Sequence, residues 1–205
     1  MRSLVPASDR KSSIPPGATA CATHDAALIA RIAEGDRDAM LVLFTAHNVR
    51  VFRFILRFIG DRTLAEDLTS EVFLDVWRQA GQFEGRSTVS TWMLAMARYK
   101  ALATRRRRTE DQLDEEVVEA IEDESDNPEV AAQKKERGEI LRHCLEQLSA
   151  SHREIVDLVY YHEKSIDEAA MILAIPENTV KTRLFHARKR LSVLASEAGL
   201  DRSYL

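Results

Sequence analysis

Residues 165–191 read SIDEAAMILAIPENTVKTRLFHARKRL, and the fold turns on how this stretch is parsed. Ser165 with Glu168 has the form of a capping box, so a helix starts there. That helix carries Ile166, Ala169, Ala170 and Leu173, and its two alanines permit close crossing by a second helix. Ala174-Ile175-Pro176 is a short turn. The next helix begins near Glu177 and sends Val180, Leu184, Ala187 and Leu191 inward at spacings of three and four. Its other face is basic. Two helices around a tight turn, the second with one apolar and one basic face, have the anatomy of a helix-turn-helix. The start of such a second helix reaches base edges. Glu177 can accept from a cytosine amino group, and Lys181 or Arg183 can donate to guanine or to phosphate, with Asn178, Thr179 and Thr182 on the same turns. His186, Arg188, Lys189 and Arg190 follow toward backbone phosphates. A generic helical hairpin shares this periodicity, so the rest of the chain has to be weighed.

Charge is segregated along the 205 residues. The formal net charge is -4, yet residues 109–136 hold twelve acidic and two basic side chains, which leaves +6 on the remainder. Residues 86–108 carry seven basic and no acidic side chains, and residues 181–190 carry five and none. Two positive patches separated by an acidic stretch fit two contacts with a polyanion. The alternative for each patch is a solvated face. No apolar run approaches the ~20 residues of a bilayer span. The N-terminus has no apolar signal region. Cys21 and Cys144 offer no disulfide framework. A reducing, cytoplasmic setting is expected.

Upstream, apolar residues recur at helical spacing throughout. Residues 1–23, rich in Ser, Pro and Ala, read as a disordered extension. A helix with Leu28, Ile29 and Ile32 stops near Gly35. Another runs from about Asp36 to Ile59, with Met40, Phe44, Val51, Phe54, Ile55 and Phe58. Thr63 with Glu66 suggests a capping box for a third, carrying Leu68, Val72, Phe73, Val76 and Trp77. After the polar stretch GQFEGRSTVS, Ser90 or Thr91 caps a fourth that runs into Arg105, Arg106, Arg107 and Arg108. Basic residues are comfortable at a helix C-terminus, but four in succession exceed what a cap needs. Residues 109–138 read as an acidic linker broken at Asp126-Asn127-Pro128, with room for a short docking helix at Leu113, Val117, Val118 and Ile121. Periodicity resumes with Ile140, Leu141, Cys144, Leu145 and Leu148, and Ser151 with Glu154 suggests the next cap. No stretch reads as a strand. The expected class is all-α: two small helical domains, residues 24–108 and 139–198, joined by the linker and mobile relative to one another.

Two blocks carry a family resemblance. AEDLTSEVFLDVWRQAGQFEGRSTVSTWMLAMARYKALATRRRR resembles region 2, and LEQLSASHREIVDLVYYHEKSIDEAAMILAIPENTVKTRLFHARKRL resembles region 4, of the extracytoplasmic-function class of bacterial RNA polymerase sigma factors. They stand in the family's order on either side of the acidic linker. The resemblance implies a promoter-specificity subunit without an active site or cofactor of its own, whose partners are core RNA polymerase, promoter DNA and an anti-sigma factor. It implies no membrane contact of its own, although an anti-sigma factor can hold such a protein near the membrane. It places Asp67, Glu71, Phe73, Asp75, Val76 and Trp77 at the clamp helices of the polymerase largest subunit. Asp67, Glu71 and Asp75 do form an acidic stripe at spacings of four, and a solvated face is the other reading of it. Phe73 and Trp77 read as core or interface. The loop from Gln82 to Ser90 and the helix after it are implied to open DNA at the -10 element, through Phe83, Arg86, Ser87, Thr88, Arg98 and Tyr99, with Arg105–Arg108 on phosphates. Trp92 reads as core and Phe83 as a loop anchor. An opened strand needs stacking surface and a positive track. The second domain is implied to read the -35 element and to seat the flap tip of the second-largest subunit near Leu145, Leu148, Ile155 and Tyr160.

One block departs from the family. Its fourth helix has the form AR-N-x-x-x-D-x-x-RR, whereas ARYKALATRRRR has Tyr99 at the Asn and Thr104 near the Asp. Tyr99 therefore either stacks on a base or packs. Rival readings are weaker. No Gly-rich phosphate loop, nucleophile elbow or HExxH points to an enzyme. Cys21 and His24 have C-x-x-H spacing, and His143-Cys144 would be the further ligands, but a disordered segment and a helix face account for them, so no metal is expected. A two-component regulator needs strands the first domain lacks. A polymerase-independent helix-turn-helix regulator is the remaining alternative.

Overall fold

Asp36, Asp61, Thr88 and Ser165 start four of the helices, each by turning a side-chain oxygen onto a free N–H of the first turn. The computed structural model describes residues 16–111, 138 and 140–199, with side chains from 23 to 108, at 138 and from 140 to 199. Helix α1 is Pro16–Ala33, α2 is Arg37–Ile59, α3 is Arg62–Gln79, and a 3-10 turn Ala80–Gln82 leads to a loop and to α4, Val89–Asp111. Then come α5, whose described helical run is residues 140–146, α6 at Ala150–Val156 with a π-turn Asp157–Tyr161, α7 at Ile166–Leu173 and α8 at Glu177–Glu197. Every regular element among the described residues is helical.

Several expected boundaries shift, each for a local reason. The first helix begins at Pro16, inside the stretch read as an extension, and residues 1–15 lie outside the described residues. Asp61, not Thr63, caps α3, its carboxylate accepting from the Leu64 N–H at 3.1 Å. Thr88, not Ser90 or Thr91, caps α4, its Oγ1 accepting from the Thr91 N–H at 3.3 Å. Ser149, not Ser151, stands at the N-cap of α6. In α4 the helix continues past the arginine run to Asp111, so Arg105, Arg106 and Arg107 precede its last turn and only Arg108 lies within it. The linker helix at 113–121 lies outside the described residues.

The first core forms where α1, α2, α3 and α4 pack together. Leu28, Ile29 and Ile32 of α1 meet Leu43, Val51, Phe54 and Ile55 of α2, Leu68, Val72 and Val76 of α3, and Met93, Leu94 and Ala97 of α4. Asp25 and His47, both nearly buried, tie α1 to α2 at 2.9 Å. By length and composition α2 would suit a bilayer, but its apolar side is used inside this bundle. At its end Gly60 takes φ 76°, where a Cβ would be strained, and closes the helix on the Leu56 carbonyl.

In the second helix group, Cys144, Leu148, Val156, Ala187, Leu191 and Leu194 form a separate small core. Its other side does not face solvent. Ile155, Leu158, Ala169, Ile172, Leu173, Val180 and Leu184 join the first core without a break. His162 stands edge-on to Phe54 with ring centroids 5.4 Å apart. The two helical clusters are in contact, with α4 and α7 packed directly on one another. The reason is the composition of α6 and α7, which carry apolar residues on two faces and cannot bury both within four short helices. The arginine run stays outside this shared core, with Arg105 to Arg108 all exposed.

Candidate nucleic-acid interface

The α7–α8 corner is built as its sequence implies. Ser165 and Glu168 complete a reciprocal capping box. Ala174 adopts φ 52°, ψ 45°, which lets the Ile175 N–H return to the Ala170 carbonyl at 3.2 Å and turns the chain into α8. Val180, Leu184, Ala187 and Leu191 point inward. Glu177, Asn178, Lys181, Thr182, His186, Arg188, Lys189 and Arg190 are exposed, while Thr179 and Arg183 are half-buried at the edge of that face. Lys181 bonds Glu177 one turn back at 3.2 Å, and Thr182 donates to the Asn178 carbonyl at 2.9 Å. Arg188 is steered by Tyr160, donating to its hydroxyl at 2.5 Å. Phe185 lies on the same outward face, 64% exposed, with its ring against His186. Sequence reading passed over it. The signal was its place in the outward series Asn178, Thr182, Phe185, Lys189, where a core aromatic does not belong.

On α3 the predicted partner-binding residues divide. Phe73 and Val76 are core, 4% and 0% exposed, and the Phe73 ring meets that of Phe44 with centroids 4.8 Å apart. Asp67, Glu71 and Trp77 are exposed. The lower half of the acidic stripe is already engaged: Lys100 of α4 reaches Asp75 at 2.8 Å and Glu71 at 3.0 Å. Burial pulls the Lys100 ammonium down, but the two carboxylates outweigh it and hold its pKa above the ordinary lysine value. Leu41, Phe44 and Leu74 add exposed apolar surface near this stripe that sequence reading did not assign to a partner. Phe44 falls within the periodic apolar series of α2, which is why it reads as core in the sequence.

Between α3 and α4, Phe83 packs on Trp92 with centroids 5.1 Å apart, anchoring the loop as its spacing suggested. Arg86 is exposed and paired with Glu84 at 2.5 Å. Ser87 donates to the Thr88 carbonyl. Thr88 and Arg98 face the second helix group. Thr88 Oγ1 donates to Glu168 at 2.8 Å, and Arg98 Nε donates to Glu154 at 2.6 Å. Tyr99 is 75% exposed, so it does not pack. Arg106 lies seven residues on, over the same face of α4. Arg108 is drawn to Asp61 at 2.9 Å, and Asp61 sits below the usual carboxylate range because the Leu64 N–H and Arg108 both favour its charged form. The structure thus gathers Tyr99 and the arginine run on an open flank of α4, and the α8 residues on a second open face. Of the residues suggested for a flap-tip seat, Leu148 and Ile155 are buried, Leu145 is half-buried and Tyr160 is exposed. Among the described residues no His, Cys, Asp and Glu cluster is arranged to hold a metal.

Comparison with known proteins bears on both faces. Residues 43–110 match the family described as sigma-70 region 2, and residues 138–191 match sigma-70, region 4. The chain is 27% identical over 171 residues to an ECF RNA polymerase sigma factor SigK of Mycobacterium ulcerans, covering 80% of this chain and 90% of that protein. It is 27% identical over 177 residues to the RNA polymerase sigma-H factor of Pseudomonas aeruginosa, covering 82% and 92%. Among solved structures, CnrH in complex with the cytosolic domain of CnrY is similar with a TM-score of 0.62 and 22% identity, over 85% of this chain and 98% of that one. The sigma factor RpoE in complex with the anti-sigma factor NepR from Bartonella quintana gives 0.61 and 21%, over 75% and 94%.

Proposed function

Because the chain belongs to the sigma-70 family, and within it to the extracytoplasmic-function class of RNA polymerase sigma factors, we propose a division of its surface among three macromolecular contacts. As a sigma factor it binds core RNA polymerase and directs promoter recognition, and it is not an enzyme. The outward face of α8 reads the -35 duplex. Glu177, Asn178, Lys181, Thr182 and Arg183 lie toward base edges, and His186, Arg188, Lys189 and Arg190 toward phosphates. The start of α4, the loop before it, Tyr99 and Arg105–Arg108 take the -10 region. Tyr99 supplies an open ring for an unstacked base and the arginines supply the positive track. Asp67, Glu71 and Trp77, with the exposed apolar residues beside them, seat on polymerase. An anti-sigma factor is the expected inhibitor, since two structurally similar chains were solved in complexes, one of them with an anti-sigma factor. Work of this kind is done in the cytoplasm, with such an inhibitor able to hold the chain near the membrane.

The observation that carries this reading is the make-up of α8: six apolar residues buried along one side and, opposite them, an outward face that exposes Lys181, Arg188, Lys189 and Arg190. Run-off transcription with purified core polymerase tests it. Products should depend on this chain. Lys181→Ala with Arg183→Ala should cut promoter binding by about tenfold or more, the scale of one lost base contact, and leave polymerase capture unchanged. Asp67→Lys should do the reverse. Tight binding to promoter duplex without any polymerase-dependent product would instead favour a regulator that works alone.

A further inference from the structure

Tyr160 and Arg188 meet twice where the π-turn passes α8. The Arg188 Nε donates to the Tyr160 hydroxyl at 2.5 Å, and its guanidinium carbon lies 5.4 Å from the ring centroid, at the hydroxyl end of the ring. Both side chains are exposed, Tyr160 at 49%. The π-turn brings the tyrosine there. The His162 N–H returns to the Asp157 carbonyl at 3.0 Å, five residues back. This widened turn sends Tyr161 onto Arg57 of α2 and Tyr160 toward α8. Such turns recur at functional sites. An apolar seat for the flap tip would use the Tyr160 ring but not its hydroxyl.

The partner of Arg188 is neutral. Arg31, Arg57, Arg62, Arg86, Arg98 and Arg108 are each paired with a carboxylate, which offsets their charge. Arg188 has no carboxylate partner among the described residues, and the phenol that fixes it leaves its charge uncompensated. An arginine has several N–H donors, and with Nε engaged the edge formed by Nη1 and Nη2 stays open. The hydroxyl also has a donor to spare. Its oxygen accepts from Nε, and its own hydrogen finds no acceptor among the described residues. Two kinds of donor and one free positive charge thus lie side by side at the surface, a set that matches the oxygens of a phosphate. The position agrees. Arg188 is eleven positions past Glu177, about 16 Å along the helix axis. The major groove is about 12 Å wide, so a helix that enters it by its first turn meets the phosphate wall at that distance.

We propose that Tyr160 and Arg188 form one seat for a single backbone phosphate of duplex DNA, in which Tyr160 aims the guanidinium through Nε and donates its own O–H to the same phosphate. The proposal rests on reading the outward face of α8 as the -35 face. It makes Tyr160 a positioning residue for Arg188 as well as a contact, and it extends the duplex footprint off α8 onto the π-turn. Fixing the arginine beforehand spares rotamer freedom that it would otherwise lose on the phosphate. A phosphate carries no sequence information, so the seat fixes how α8 sits in the groove and not which bases it prefers.

The test uses holoenzyme reconstituted from core polymerase and the full chain. The probe is a short duplex carrying the -35 region, without the -10 element, of a promoter that yields run-off product. Affinity is measured by fluorescence anisotropy across a range of salt. Both side chains are exposed, so neither change opens the core. Arg188→Ala should weaken binding by about tenfold, the scale of a charge-assisted hydrogen bond. It should also lower the slope of log affinity against log salt by about 0.9. Tyr160→Phe keeps the ring and every charge, yet it should weaken binding about three- to tenfold and bring the slope toward the Arg188→Ala value. The double variant should bind no more weakly than Arg188→Ala alone. Full affinity in Tyr160→Phe overturns the seat, provided that Lys181→Ala with Arg183→Ala still weakens binding. If that pair has no effect either, the reading of α8 itself has failed. A loss in Tyr160→Phe with the slope intact overturns the aiming of Arg188, and additive losses overturn the shared phosphate. Tyr160→Ala should leave capture of core polymerase unchanged, and a loss of capture would assign the ring to polymerase and overturn the proposal.

Discussion

Lys100 and Glu168 are both charged residues that tie one element to another, and their acid–base behaviour differs in sign. Lys100 is held above its ordinary value of 10.5 by Asp75 and Glu71. Its contribution to stability is therefore complete below pH 10.5 and is lost as pH rises through the folded-state value. Lys100→Met should lower the urea midpoint by an amount equivalent to about 1 kcal/mol or less, since the pair is only partly shielded from water. The gap between the two proteins should close in strong alkali. Glu168 is depressed from 4.5 to about 2, so its contribution is complete above pH 4.5 and disappears as pH falls toward 2. Glu168→Gln should therefore melt lower than the unaltered chain by a constant margin from neutrality down to pH 4.5, with the margin shrinking below it. The local role of Glu168 was legible, because a capping box needs only Ser165 three positions earlier. Its second role was not, because Thr88 and Thr91 stand 80 and 77 residues away.

At the scale of elements, periodicity located the helices, and caps corrected their ends. Asp36 heads α2 and Gly60 closes it, an aspartate and a glycine that flank an unbroken apolar pattern. Thr63, Ser90 and Ser151 were misassigned as caps because Asp61, Thr88 and Ser149 stand only two positions earlier and suit the same role. Only backbone geometry separates such neighbours. The turn of the helix-turn-helix illustrates the opposite case. Ala174 is non-glycine yet left-handed, at φ 52°. Such a conformation costs an alanine about 1–2 kcal/mol, more than the entropy that glycine would give up there. Ala174→Gly should therefore raise the melting temperature, by an amount corresponding to at most about 1 kcal/mol, and leave the α8 face in place. A lower melting temperature would show that the corner is not strained.

At the scale of the whole molecule the decisive feature is the continuous apolar core that runs from α1 through α4 into α6, α7 and α8. Heat should then unfold the chain in one calorimetric transition, whereas two separated transitions would mean the helix groups are independent. The class of fold, the order of the two modules, the helix-turn-helix and its basic face were all written in local spacing, because helical periodicity, capping pairs and charge runs act within a few residues. Which acidic residues of α3 stay free, why Phe73 and Val76 are core, and that Thr88 and Arg98 face Glu168 and Glu154 were decided only by tertiary packing. Those outcomes depend on which surfaces meet across long stretches of chain, and an apolar or charged residue looks the same in sequence whether its partner is solvent, another protein or another helix of its own.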